Sequence, residues 1–410
     1  MVMIMSNQKY TNIEFTKEMK KTHTIYMPDM VHYHNDLLCA AFAYGGYHLS
    51  VVPEYPLLTK NTFSMINKDY CTCATYIVGN LLTMLEDKNI DSSKVAFLEP
   101  QAGGASRAGN YYNLIINCLK NSGYAIPVLS LNAHGFEKHS GFSINGRMLL
   151  GAVAAVCYGD LLMMLYQQVR PYEINKGEAK AMWETWINKL SELIKQGKGL
   201  FRREKIYREI ISDFQKIKRN AVKKKKVGIV GEIYIKYSPI GNNHLEDFLI
   251  QQDVDYRQSI FLNYCIYVVY TEMKSMELDG KGKAVLSAYE MVIKLMLKMQ
   301  KELYKELDFA GFSHDGYFED LRENAKEIIS EYYNIGDGWL MTGETIDMIK
   351  NGFDKVMMVH PFGCLVSHVG EQGVIRKLKN KYPEAKVTSV EFDYEQADAL
   401  RESRILLAIN

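Results

Sequence analysis

Cys364 stands behind an apolar run, Val356-Met357-Met358-Val359, and on the far side of His360-Pro361-Phe362-Gly363. The run has the length and character of a strand buried on both faces. Pro361 has no N–H for a ladder and Gly363 permits a sharp turn, so the strand is expected to stop there with the thiol on the turn. A helical pattern resumes at about Gln372. In an open α/β sheet, ligands bind in the crevice beyond the carboxyl ends of the strands, and a thiol there can reach a metal. One cysteine ligates nothing alone. Two other segments fall at comparable strand ends: residues 67–73, with Cys71 and Cys73, and residues 101–107, with Gly103, Gly104, Ser106 and Arg107. Thiolates from two domains closing on one point would make a cysteine-held metal centre.

Each of these groups has a plainer reading. Cys71 and Cys364 can be small buried hydrophobes, and Cys39, Cys118, Cys157 and Cys265, inside apolar helical stretches, are expected to be so. Gly103-Gly104 with Arg107 at a strand–helix junction could cradle a phosphate on backbone N–H groups, or simply turn the chain. His32, His34 and His368 could join the thiols around zinc, although no Cys/His pair has finger spacing.

The elements that must position these residues alternate. Strands are expected over 22–27, 47–52, 94–98 and 126–131, with helices over 34–44, 75–85 and 108–120 between them. Such alternation implies a parallel sheet covered on both faces. Residues 149–168, 178–195 and 203–219 are helical in period with no strand among them. Lys223-Lys224-Lys225-Lys226 then reads as a solvated linker. A second α/β unit begins at 227–230, continues through helices near 245–251, 282–304, 316–333 and 345–351, and carries the strand before Cys364. It ends with a helix over 372–381, a strand over 386–392 and a helix over 394–408. The expected division is an N-terminal arm (1–21), a first α/β domain (22–145), a helical segment and linker (146–225) and a second α/β domain (226–410).

A chain of 410 residues is too long for one core. Its 47% apolar and 24% charged residues are ordinary for a globular protein. Lys+Arg 49 against Asp+Glu 48 leaves +1, so no global field favours nucleic acid or an acidic membrane. The first 25 residues hold no continuous apolar stretch, so no signal peptide is expected. Residues 148–166 are the most apolar, but Gly151, Gly159 and Asp160 interrupt them, and a buried helix is expected rather than a membrane span. Seven scattered cysteines, an odd number, suit a reducing cytoplasm better than a disulfide framework.

Several segments together carry a family resemblance: NKDYCTCATYIVGNLL, QAGGASRAGNYYNLI, SLNAHGFEK, YGDLLMMLYQQVRPYE, VGEIYIKYSPIGNN, and DGWLMTGETIDMI followed by HPFGC. In order and with nearly the same spacing, from about Thr22 to the C-terminus, they resemble the 2-hydroxyacyl-CoA dehydratase family, and within it the D-component-like proteins often fused behind activase domains. The resemblance implies two flavodoxin-like, Rossmann-like α/β domains with a helical segment. It also implies a [4Fe–4S] cluster held by three cysteines at the domain interface, and an ATP-driven activator that supplies it with one electron for radical dehydration of an acyl-CoA. Relatives are dimeric. Position by position, Cys71 matches the first family cysteine and Cys364 the last. The middle one falls where this chain has Ser106, a harder and more basic ligand than thiolate, and Cys73 is the other contender. Glu232, Lys236, Asn242 and Asn243 match a family segment after a strand, in the cleft or at a hinge.

Three functions follow. The favoured expectation, which the resemblance implies, is an iron–sulfur protein of the dehydratase or reductase type, acting on an acyl-CoA or similar small molecule. Otherwise it is a cluster-free scaffold or partner subunit, or a zinc protein using the same thiols. No G-x-x-x-x-G-K-[ST] phosphate loop occurs in it, so ATP hydrolysis is expected on another chain. Expected partners are that activator and a sister subunit or second copy, with neither nucleic acid nor membrane.

Overall fold

The computed structural model describes residues 12–55, 66, 70–100, 106–131, 139–394 and 396–410. The first sheet has four parallel strands, β1 (Thr24–Met27), β2 (Leu49–Val51), β3 (Val95–Pro100) and β4 (Val128–Leu131), in the order β2-β1-β3-β4. Helices α1 (Asn35–Tyr44), α2 (Thr72–Glu86) and α3 (Tyr111–Asn121) follow β1, β2 and β3. β3 is apolar and buried along almost its whole length, as a central parallel strand covered on both faces must be. Three helices come next: α4 (Gly146–Val169), α5 (Glu178–Lys195) and α6 (Glu204–Gln215).

The second sheet repeats the first. Its strands β5 (Lys225–Gly231), β6 (Val254–Gln258), β7 (Lys355–Pro361) and β8 (Lys386–Phe392) run parallel in the order β6-β5-β7-β8. Around them lie α7 (Ile233–Tyr237), α8 (Leu245–Gln251), α9 (Phe261–Leu278), α10 (Lys283–Ala310), α11 (Phe318–Lys326), α12 (Gly338–Lys350), α13 (Gly373–Lys381) and α14 (Asp398–Ile409). The fold is thus α/β with two parallel-sheet domains, as expected. In each sheet the winding reverses between the first and third strands of the unit, β1/β3 and β5/β7, and that reversal opens a crevice at the strands' carboxyl ends.

Two apolar clusters bind the units together. One joins α1, α4, α5 and α6 to α9, α10, α11 and Trp339, so helices inserted between β6 and β7 share a core with the helical segment. The other runs from Leu81, Phe97 and Ile115 of the first domain to Ile229, Tyr256 and Val359 of the second. α4 is long and apolar enough to cross a membrane, but 72% of its most apolar window is buried inside the fold. At its centre, Asp160 accepts from the N–H groups of Phe261 and Leu262 at the start of α9 and pairs with His34 at 2.9 Å.

Several expectations are corrected. β7 continues through Pro361, which sits beside Phe392 in the ladder, and the chain turns only afterwards. Helical structure resumes directly after Cys364, as a turn at Leu365–Ser367 and a π-type turn at His368–Gln372, rather than at Gln372. Lys225 and Lys226 open β5 and are not linker. β6 and α9 were not foreseen at all. The N-terminal arm is anchored from Asn12 onward, because Asn12 donates to the carbonyl of Val128 and Phe15 is fully buried; residues 1–11 lie outside the described residues.

Candidate functional site

Gly231 ends β5 at φ +141°, and a Cβ there would meet the carbonyl oxygen of Val359 at 2.0 Å. Only glycine fits. This close approach lets the N–H of Glu232 donate to that same carbonyl at 3.0 Å. The Glu232 carboxylate then caps α7, accepting from the N–H of Ile235 at 3.0 Å. One strand over, Gly363 holds φ +75° and aims its α-carbon at the first domain. A Cβ there would lie 3.3 Å from Arg107 Nη1 and 3.9 Å from the Cα of Cys71. The loop that carries Cys364 is therefore seated on the loops that carry Arg107 and Cys71.

A cavity of about 380 Å³ opens between the two sheets at this point. Cys71, Cys73, Ser106, Arg107 and Cys364 all line it, so the structure brings the expected sulfurs from both domains to one space. Gly103 and Gly104 lie outside the described residues. Ile77, Ile144, Tyr264 and Val268 make much of the wall apolar. His32, His34 and His368 do not line it: His34 is bound to Asp160, and His32 stacks on Trp183 elsewhere.

The sulfurs are in different states. Cys71 caps α2, and its thiol is held below the usual value, to about 6, because Cys73 hydrogen-bonds to it and Tyr111 donates its phenol. Burial pushes Cys73 up, and its sulfur also lies 3.5 Å from Glu232 Oε2. Burial and the charge of Glu232 push Cys364 up to about 12, although Ser367 donates to its sulfur from both N–H (3.4 Å) and O–H (3.2 Å). Ser106 is occupied locally, its hydroxyl accepting from the N–H of Ala108 at 3.3 Å.

Acids that sequence reasoning did not single out complete the site. Glu99, at the end of β3, and Asp337, at the head of α12, line the cavity, and burial raises both to about 8. Behind them, Glu371 on the π-type turn is fully buried with neither carboxylate oxygen partnered, and burial raises it too. π-type turns recur at functional sites. Glu232 is raised to about 7 by burial. Lys236 is spoken for by Glu344 at 3.1 Å. The one available signal was Glu99 itself, a lone carboxyl ending an otherwise apolar strand.

No protein-family model and no curated protein matches the chain. What the site can hold follows from its donors. A zinc ion asks for four donors converging on one atom. Among the described residues no group of three or more His, Cys, Asp or Glu is placed to hold a metal ion. In an iron–sulfur cubane each iron takes its own thiolate, so ligands stand around the core rather than on one point, and soft sulfur suits it. Cys71 and Cys73 lie within hydrogen-bond reach of each other, and Cys364 of the second domain lines the same cavity.

Proposed function

We propose that the chain is an iron–sulfur protein resembling the D component of the 2-hydroxyacyl-CoA dehydratases, with Cys71, Cys364 and Cys73 holding a [4Fe–4S] cluster. The observation that supports this most is the shared cavity: sulfurs from both sheet domains line one space at the strands' carboxyl ends. Cys73 is preferred to Ser106 because thiolate is the softer ligand and the serine hydroxyl already caps its own turn. Held by those residues, a cluster would supply low-potential one-electron chemistry toward an acyl-CoA-like substrate.

The chain's own groups fit this work. Cys71 is ready as a thiolate, whereas Cys73 and Cys364 each release a proton on binding, so loading tightens as pH rises. The apolar wall at Ile144, Tyr264 and Val268 excludes water and suits an acyl chain. Asp337 and Glu99, kept protonated by burial, are positioned at the cavity to donate a proton to a departing hydroxyl. The energy comes from an ATP-hydrolysing activator on another chain. A reducing cytoplasm suits the seven free cysteines.

The test is metal analysis with electron paramagnetic resonance on protein purified without oxygen. The expected result is brown protein with about four iron and four sulfide per chain. Cys73→Ala empties it, and Ser106→Cys raises occupancy or oxygen resistance. A colourless, folded, iron-free preparation overturns the reading and leaves a scaffold or partner subunit. Stoichiometric zinc turns it to the third function.

A further inference from the structure

A second cavity, of about 350 Å³, opens between the same two domains and shares no lining residue with the first. Its size is that of a small-molecule site, roughly 300–1,000 Å³. Three rings make its apolar side: Tyr33 from the loop after β1, Tyr166 on α4 and Trp183 on α5. They brace one another, Trp183 meeting Tyr33 edge-on at 5.9 Å and Tyr166 at 6.2 Å. From the second domain, Glu246 on α8 lines the same space.

Four carboxylates line this cavity, those of Asp29, Glu54, Glu246 and Asp247, against two permanent cations, Arg170 and Lys180. Three of the acids are answered: Asp247 by Arg170, Glu54 by His244 at 3.0 Å and Asp29 by His32 at 3.2 Å. Glu246 is not. Tyr33 and Tyr256 both donate to its Oε2, at 2.5 and 2.7 Å. Among the described residues Oε1 takes no donor, and no cation pairs with either oxygen. Phenols orient a carboxylate but leave its charge in place. Burial raises this carboxyl against the pull of those phenols and of Arg170, and a cation seated beside it would offset that cost. Lys180 does not supply one, because its side chain is largely exposed and lies 4.0 Å from Glu184. Aromatic faces attract cations as well. Arg170 already sits over Tyr166, 5.4 Å from its ring centre, so positive charge is at home against this wall. An ammonium head on a short apolar body meets both demands.

We propose that this cavity binds a small organic ammonium ion, its charged head on Glu246 and its apolar body against Tyr33, Tyr166 and Trp183. The inference stands apart from the cysteine-lined cavity and from any cluster.

Isothermal titration calorimetry of the full chain tests it with three probes of one shape: phenethylamine, the uncharged phenethyl alcohol and the anion hydrocinnamate. One amine is expected to bind per chain, the alcohol about tenfold or more weaker, and the anion not at all. Glu246→Gln keeps an oxygen for the phenols but removes the charge, and weakens the amine about tenfold or more. Lys180→Met removes a competing surface charge and tightens the amine by about threefold without changing the melting temperature. Four results overturn the proposal: no heat from millimolar amine, amine and alcohol binding alike, hydrocinnamate binding in place of the amine, or an affinity indifferent to Glu246→Gln. Should Glu246→Gln not fold, the Lys180→Met titration decides, and an amine affinity unchanged or lowered there overturns it too.

Discussion

The sulfur of Cys73 lies 3.5 Å from Oε2 of Glu232, a contact that reaches from the second helix of one sheet domain to the crevice turn of the other. Burial keeps the proton on Cys73, the Glu232 charge adds to that, and Cys71, hydrogen-bonded by Cys73 and Tyr111, takes the charge. Iodoacetamide labelling of metal-free protein, read by mass spectrometry, is expected to modify Cys71 first, with a midpoint near pH 6. Cys73→Ala removes the largest stabilising hydrogen bond and moves the midpoint up. Labelling that begins only near the ordinary thiol value, about 8.5, would sink this assignment.

Asp160 ties three parts of the molecule together. It meets His34 from the β1 crevice loop at 2.9 Å and accepts from Phe261 and Leu262 at 2.8 and 2.9 Å. Asp160→Ala strands a buried imidazole and two N–H groups, and a loss of about 3–5 kcal/mol is expected in urea denaturation. A loss under about 1 kcal/mol would mean that the groups find other partners.

Burial of protonated acids makes stability fall with pH. Glu99 releases its proton near its ordinary 4.5 when unfolded but only near 8 when folded, so the folded chain holds the extra proton throughout that window. Stability therefore declines as pH rises through it, by up to about 1.4 kcal/mol per pH unit for each such group. Asp337 adds the same sign. Cys71 has the opposite sign between about 6 and 9.0, where the unfolded thiol still holds its proton. Denaturation midpoints for Glu99→Gln against the parent isolate one proton: the variant's decline must be shallower. Parallel curves would refute the raised acid.

The Lys236–Glu344 pair, at 3.1 Å and buried, offers a third stability test. Glu344→Gln leaves an uncompensated ammonium and is expected to cost about 3–5 kcal/mol, whereas Lys236→Met with Glu344→Leu comes near the parent value. If the single and double variants melt together, the ammonium was never dependent on that carboxylate.

What could be read in the residues was the alternation. β3, β5 and β7 are buried on both faces and announce themselves as apolar runs, and Cys364 sits where the end of such a run put it. β6 escaped because Val-Asp-Tyr-Arg-Gln looks polar, yet Asp255 is satisfied by Tyr172 and Arg257, and Gln258 by Gln167. Satisfied polar groups are admissible in a core, but no periodicity announces them. α9 escaped for the reverse reason, its Tyr, Val and Ile belonging as readily to a strand. At the site, the cysteines were legible by type. Glu99, Asp337 and Glu371 matter only through burial, which depends on residues far along the chain.

The cavity has no owner among the units of this fold: Cys71 and Cys73 hang from one sheet and Cys364 from the other. Rocking the sheets apart would therefore bare all three sulfurs to dissolved oxygen in a single motion, and closing would shelter them together. Air tolerance and breathing of the cleft become one property of the chain. Whatever clamps the halves shut also lengthens the life of anything held between them.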